Sequence, residues 1–212
     1  MELQMMALED YRATGEFDPI RFYRAPVIGR LYRGRVARCI DLLPSGGEVL
    51  EIGYGSGVSF LNLAAKFDRI LGLDLHNHGP EVSRSFAGQD LSLDLRMGSI
   101  LELPFGDESV DAAVAISIHE HLQPEQQSRA FSEVYRVLRP GGSYVVGVPG
   151  LNGMMTLAFR LLGVDINDHH FSSESRVLSA MGERFDVDHA KRRPRLFPRS
   201  MTTYMFLRGW KR

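Results

Sequence analysis

The run DAAVAIS at positions 111–117 has no polar alternation between its ends. A strand that is apolar on both faces must be covered on both faces, and sheets covered twice are built from strands that alternate with helices. The rest of the chain supplies that alternation. Glu48–Ile52 and Arg69–Asp74 (RILGLD) read as short strands, LSLDLRM at 91–97 alternates as a third, and SYVVGV at 143–148 makes a fifth. Helical spacing falls between them on 30–43 (Leu31, Val36, Ile40, Leu43), on 58–66, on 80–88 and on 125–138 (Phe131, Val134, Tyr135, Leu138). Pro44-Ser45-Gly46-Gly47 and Arg139-Pro140-Gly141-Gly142 mark turns. The expected class is α/β, a mostly parallel sheet with helices on both faces.

After Pro149 the rhythm changes. LNGMMTLAFRLL at 151–162 reads as a Met-rich helix, 165–170 as a polar loop, and Ser172 as the N-cap of a helix over 173–181. Segments 185–189 and 202–210 read as two last strands. No repeat or long linker divides the 212 residues, so a single domain over 1–212 is expected. Its parts are a helical cap at 1–43, a core at 44–149, a lid-like insert at 150–172 and a C-terminal helix with strands at 173–212.

With 44% apolar residues and a formal charge of −1, the chain has the means to bury a large core. No apolar run reaches the ~18 residues a membrane span needs, and the first residues do not read as a secretory signal. The single cysteine, Cys39, has no partner for an internal disulfide, which fits a reducing compartment, so the expected location is the cytoplasm. The near-zero charge hides two basic blocks. Arg21, Arg24, Arg30, Arg33, Arg35 and Arg38 lie between Asp18 and Asp41 with no acid among them, and no acid follows Asp188. Such blocks meet anions or form solvated faces balanced by acids elsewhere.

The sharpest local signal is Glu51-Ile-Gly-Tyr-Gly-Ser-Gly57, three glycines at alternate positions directly after the first strand. Glycine weakens a strand, but it serves a turn that needs positive φ or a close backbone approach. In sheets of this kind ligands bind beyond the carboxyl ends of the strands. The dinucleotide fingerprint G-x-G-x-x-G fails here, because Val58 or Phe60 stands where its last glycine belongs. Glu51 would also repel a pyrophosphate and suits a cationic ligand.

VLEIGYGSG at 49–57 resembles the first motif of the class I S-adenosylmethionine-dependent methyltransferases, small-molecule enzymes of the type 11 kind above all. LGLDL (71–75), MGSILELPFGDESVDAAVAIS (97–117), HEHL (119–122) and VLRPGG (137–142) resemble the family's later motifs, in the family's order. The resemblance implies a Rossmann-like three-layer sandwich: a seven-stranded, mostly parallel sheet with one antiparallel strand near the C-terminus. It implies S-adenosylmethionine as cofactor and S-adenosylhomocysteine as product. Gly53, Gly55 and Gly57 would pass under the methionine part, with Tyr54 beside it. Glu51 would face the ammonium group, and Asp74 would take the ribose hydroxyls. Leu75, Gly98, Ser99 and Ile100 would hold the adenine, and Ser117 and Ile118 would flank the cofactor. Two positions depart from the pattern: Ser99 stands where an acid is common, and Tyr54 where a small residue is.

Methyl transfer from a sulfonium mainly requires positioning and exclusion of water, with a base where the acceptor carries a proton. Histidine is the natural base. His119, His121 and His169 are the candidates, while His76 and His78 follow Asp74 and belong near the ribose. His-x-His and His-His pairs without cysteine do not argue for a metal. The acceptor is expected to be a small molecule, amphiphilic or anionic, covered by segments 1–43 and 150–172. Nucleic-acid or protein methylation is the alternative; the S117-I-H-E sequence lacks the N-P-P-Y or D-P-P-Y of amino-directed nucleic-acid enzymes, which argues against nucleic acid. The failed fingerprint argues against a reductase, and the complete cofactor motifs argue against a non-catalytic cofactor binder; a monomer or homodimer is expected.

Overall fold

The computed structural model describes residues 2–15, 18–150, 171–193 and 204–212. Seven strands form one sheet: β1 (Glu48–Ile52), β2 (Arg69–Asp74), β3 (Leu93–Met97), β4 (Val110–Ile116), β5 (Leu138–Pro149), β6 (Asp186–Arg193) and β7 (Tyr204–Trp210). Their order across the sheet is β3-β2-β1-β4-β5-β7-β6. The first five are parallel, and β7 runs antiparallel to both β5 and β6. This is the expected α/β Rossmann-like sandwich, with its one reversed strand near the C-terminus.

The helices are α1 (Pro26–Leu42), α2 (Phe60–Ala64), α3 (Gly79–Ser85), α4 (Gln127–Val137) and α5 (Glu174–Gly182). They divide into two layers. Val36, Ile40, Phe60, Leu63 and Val82 of α1–α3 pack on one face of the sheet. Phe131, Val134, Val177 and Met181 of α4 and α5 pack on the other. The run at 111–117 shows why it had to be apolar throughout: Ala112 and Val114 belong to the first core, Ala113 and Ala115 to the second. β3, at an edge, is only partly buried, and its apolar–polar alternation survives there.

Several boundaries differ from the sequence reading. α1 begins at Pro26, four residues before the expected start, because proline's fixed φ suits a first helical turn. α2 is shorter than 58–66, since Gly57 and Ser59 belong to the loop that precedes it. β5 starts at Leu138 and takes in the Arg-Pro-Gly-Gly turn, and β6 continues to Arg193. The Met-rich segment 151–162, His169 and His170 lie outside the described residues. Among the described residues no helix is long and apolar enough to cross a membrane.

Strand order reverses between β1 and β4, which lead to opposite halves of the sheet. A crevice at their carboxyl ends follows from that topology, and the glycine loop stands in it.

Candidate functional site

The loop leaves β1 with positive φ at all three glycines: 76° at Gly53, 52° at Gly55 and 79° at Gly57. At Gly53 a second constraint operates. A Cβ there would stand 2.0 Å from Cδ1 of Ile118, which lies beneath the loop. The Gly53 N–H donates to the Leu73 carbonyl at 2.7 Å, and the Gly57 N–H to the Tyr54 carbonyl at 2.8 Å. The loop is thus a fixed turn bonded into β2.

Glu51 stands behind the loop and is 4% exposed. Its Oε2 accepts a 2.5 Å hydrogen bond from the Ser59 hydroxyl. Burial pushes its carboxyl up to about 8; the Ser59 bond opposes the shift, and the nearby Asp74 adds to it. A buried carboxyl of this kind regains its charge when a cation comes beside it.

Asp74 ends β2 and clasps the loop. Its Oδ2 accepts from the Gly55 N–H at 2.8 Å, and its Oδ1 from the Leu75 N–H at 2.7 Å. His76 Nε2 lies 3.2 Å from the Gly55 carbonyl and 3.5 Å from Asp74 Oδ2. The His76 backbone N–H also reaches Oδ1, at 3.4 Å; a carboxylate offers about four acceptor sites, so these backbone bonds leave room for one further donor. Beyond it Leu75 is 77% exposed and Met97 65% exposed. Asp74 pairs with Met97 in the parallel register, so both exposed apolar residues stand at the carboxyl ends of β2 and β3, beside a carboxylate.

Residues 50–146 match a family described as a methyltransferase domain. A probable S-adenosylmethionine-dependent methyltransferase of Mycolicibacterium smegmatis is 34% identical over 119 residues, covering 56% of this chain and 42% of that protein. The chain belongs to the class I S-adenosylmethionine-dependent methyltransferases. An O-methyltransferase of Penicillium expansum is 31% identical over 174 residues, 80% of this chain and 55% of that one. The chain spans about half the length of these curated relatives. The N-methyltransferase NodS of Bradyrhizobium japonicum, solved with S-adenosylhomocysteine, shares the fold with a TM-score of 0.68; it is 19% identical, and the match covers 96% of each chain.

The family's cofactor is S-adenosylmethionine, and the donor set fits it: a buried acid behind a glycine turn for a cationic head, an acid at a strand end for a diol, and exposed apolar residues for a base. Gly98 is held at the edge of this space by its N–H bond to the Asp74 carbonyl at 2.8 Å. Ser99 Oγ accepts from the Leu101 N–H at 3.2 Å, so its hydroxyl also serves its own turn. The Ile100 side chain is buried in the core that backs this end of the sheet. Tyr54 lies beside the crevice and not in it. Its ring packs 5.0 Å from His76 and 5.8 Å from Phe60, between ring centroids. Burial pushes its hydroxyl up to about 12, and its Oη has no hydrogen-bond partner. Met97 was missed in the sequence because it looked like one more strand residue; the signal was its place opposite Asp74.

Beyond β4 the structure separates the candidate bases. Ser117 adopts φ 58°, and its Oγ lies 2.9 Å from the Tyr204 hydroxyl. His119 is fully buried, and its ring stacks on Phe131 at 4.5 Å. Its Nδ1 bonds Gln127 at 2.8 Å and its Nε2 bonds the Tyr144 hydroxyl at 2.7 Å. Burial pushes the ring down to about 4, with Gln127 opposing. The expectation that His119 faces the acceptor is therefore corrected: the one-turn helix His119–His121 sends this ring into the α4 side of the core, where both nitrogens are occupied. His121 is exposed on the same turn. Glu120 between them is buried, with its Oε2 unpartnered. At the opposite edge of the sheet a cavity of about 280 Å³ is lined by Glu48, Arg69, Asp94, Arg96 and Arg139. Those charges pair with one another, and the cavity lies at the amino ends of the strands, away from the loop.

Proposed function

We propose that this chain transfers the methyl group of S-adenosylmethionine to an oxygen, nitrogen or carbon atom of a small molecule. The observation that carries the reading is the clasp of Asp74 on the Gly55 N–H in front of the buried Glu51, with Leu75 and Met97 exposed beyond it. In this reading Glu51 meets the cofactor's ammonium, Asp74 the ribose, and Leu75 and Met97 the adenine; Gly53, Gly55, Gly57, Ser117 and Ile118 shape the space between. The bound cofactor supplies a methyl already activated on sulfur, so the chain's own task is to orient the acceptor and exclude water.

Four of the eight basic residues after Asp188 are engaged in ion pairs, which supports a small acceptor over nucleic acid. Arg208 pairs with Asp188 at 2.6 Å, Arg192 with Glu174 at 3.2 Å, Lys211 with Glu108 at 3.3 Å, and Arg212 with Asp186. Cations already paired in this way offer little to a phosphate backbone.

Thermal unfolding tests the reading. A ligand that binds only the folded state raises the melting temperature. S-adenosylmethionine and S-adenosylhomocysteine are expected to raise it and NADH is not, and Asp74→Ala is expected to abolish the rise. An equal rise in Asp74→Ala, or a rise with NADH, would refute the assignment.

A further inference from the structure

Glu120 is a buried carboxyl that the fold leaves unused. It is 1% exposed, and its Oε2 has no hydrogen-bond partner. Burial pushes the carboxyl up to about 8, an effect that its own backbone N–H, Arg35 and the Ser117 hydroxyl reduce. In either protonation state the atom lacks a partner: ionised it needs a donor, protonated an acceptor. Buried polar groups without partners are rare and costly, and each calls for a reason.

Its neighbours suggest the reason. Ser117 holds a left-handed conformation just past β4, and its Oγ meets the Tyr204 hydroxyl at 2.9 Å. Strain of this kind concentrates at functional sites. The Tyr204 ring carries the Arg35 guanidinium, whose carbon lies 4.6 Å from the ring centre and 5.1 Å from that of Tyr32. Arg69, Arg96, Arg136, Arg139 and Arg208 all engage carboxylates. Among the described residues Arg35 has no ion pair and no hydrogen bond; only the two rings hold it. It is half-buried, as are Tyr32 and Ser117, so the group reaches solvent.

Topology gathers these side chains at one place. Tyr32 and Arg35 come from α1, Ser117 and Glu120 from the exit of β4. Tyr204 begins β7 opposite Pro149, where β5 ends. They gather toward the carboxyl edge of the sheet, where Ser117 and Glu120 lie within two residues of Ile118, which underlies Gly53.

We propose that Arg35, Tyr32, Tyr204, Ser117 and Glu120 form the acceptor subsite, and that it takes a small molecule with a carboxylate for Arg35 and a hydroxyl or amine for Glu120. A guanidinium fork matches a carboxylate with two parallel bonds. The rings fix the fork in advance, and Glu120 turns the acceptor's second polar group toward the glycine loop. This assignment rests on the methyltransferase reading.

Calorimetry on the full chain tests it in two stages. S-adenosylhomocysteine is titrated first, into the wild type, Arg35→Gln, Arg35→Lys and Glu120→Leu. All four are expected to bind it alike, and failure of the wild type to bind would refute the methyltransferase reading itself. With S-adenosylhomocysteine bound, 4-hydroxybenzoate, 4-hydroxybenzamide and benzoate are then compared, followed by further triplets of hydroxycarboxylate, amide and deoxy analogue. The carboxylate is expected to bind about tenfold tighter than its amide, the worth of one charge-assisted pair. That preference disappears in Arg35→Gln and persists, weakened, in Arg35→Lys. The preference for the hydroxyl disappears in Glu120→Leu. Glu120→Leu also raises the melting temperature of the ligand-free chain, because it removes an unpartnered buried atom; a purely structural carboxyl would lower it. Equal binding of carboxylate and amide, no binding by any triplet, or a preference that survives Arg35→Gln overturns the proposal.

Discussion

Gly53 and Gly55 look alike in the sequence and differ in what surrounds them. Both have positive φ, which costs a residue with a Cβ about 1–2 kcal/mol. At Gly55 an added Cβ meets nothing within 4 Å, whereas at Gly53 it meets Ile118 at 2.0 Å. Gly55→Ala is therefore expected to cost about 1 kcal/mol of stability, and Gly53→Ala measurably more. Urea denaturation of the two variants checks the order, and Ile118→Val should recover part of the Gly53→Ala loss. Equal losses would mean the Ile118 contact gives way freely. Glu51 makes a second prediction at this scale. Its charge is suppressed by burial and returns as pH rises through about 8. Affinity for S-adenosylmethionine relative to Glu51→Gln should therefore grow between pH 6 and 8.5, and a constant ratio would remove the carboxylate from the cofactor site. The glycines and Asp74 were legible in the sequence because a backbone conformation or a strand end leaves a residue-type signature. The burial of His119 was not. His-Glu-His on one turn sends three side chains in three directions, and only the packing of Phe131 and Tyr144 decides which histidine goes inside.

The element that fixes that choice is the turn between β4 and α4. Gln127, at the start of α4, bonds the His119 ring with its oxygen and the His119 carbonyl at 2.7 Å with its amide nitrogen. Tyr144 of β5 closes the set from below. Gln127→Ala leaves a ring nitrogen and a carbonyl unsatisfied in the core, each of which costs about 1–3 kcal/mol when buried. The variant is expected to unfold at clearly lower urea while its folded fraction keeps its affinity for S-adenosylhomocysteine. A loss of cofactor affinity with unchanged stability would place His119 in the site after all. At this scale most of the fold could be read in advance. The parallel strands fell on apolar or alternating runs, most of them bounded by glycine or proline turns; β4, which passes into Ser117-Ile118-His119, was marked by its apolar run alone. The structure adds the tie between β1 and β4 at Asp111, whose Oδ2 accepts from the Glu48 N–H at 2.8 Å. The lengths of α2 and α3 were less legible, because these short helices begin only where the loops after β1 and β2 end, and helical spacing does not mark that point.

Over the whole molecule, Glu51 and Glu120 act together on stability. Each carboxyl stands at about 8 in the folded chain, against an ordinary 4.5. The folded state therefore holds two protons that the unfolded state releases as pH rises above 4.5. The stability they contribute is complete below that value and is lost as pH rises through about 8. His119 works the other way: its ring, at about 4 against 6.5, penalises the folded state only as pH falls below 6.5. The opposing effects overlap between 4.5 and 6.5, and only the carboxyls remain above. Between pH 6.5 and 8 the ligand-free chain should lose about 1.4 kcal/mol per pH unit for each carboxyl still protonated. Glu51 faces Ser59 and Asp74 with no cation among the groups that shift it, and Arg35 and Ser117 offset only part of the burial of Glu120. Urea unfolding at half-unit steps of pH should show the decline in the wild type, about half of it in Glu51→Gln or Glu120→Gln, and almost none in the double variant. Saturating S-adenosylmethionine should flatten the Glu51 half alone, because a cation beside that carboxyl favours its ionised form. A flat profile in the ligand-free wild type would mean that water reaches both carboxyls, and the reason for assigning Glu120 to the acceptor would go with it.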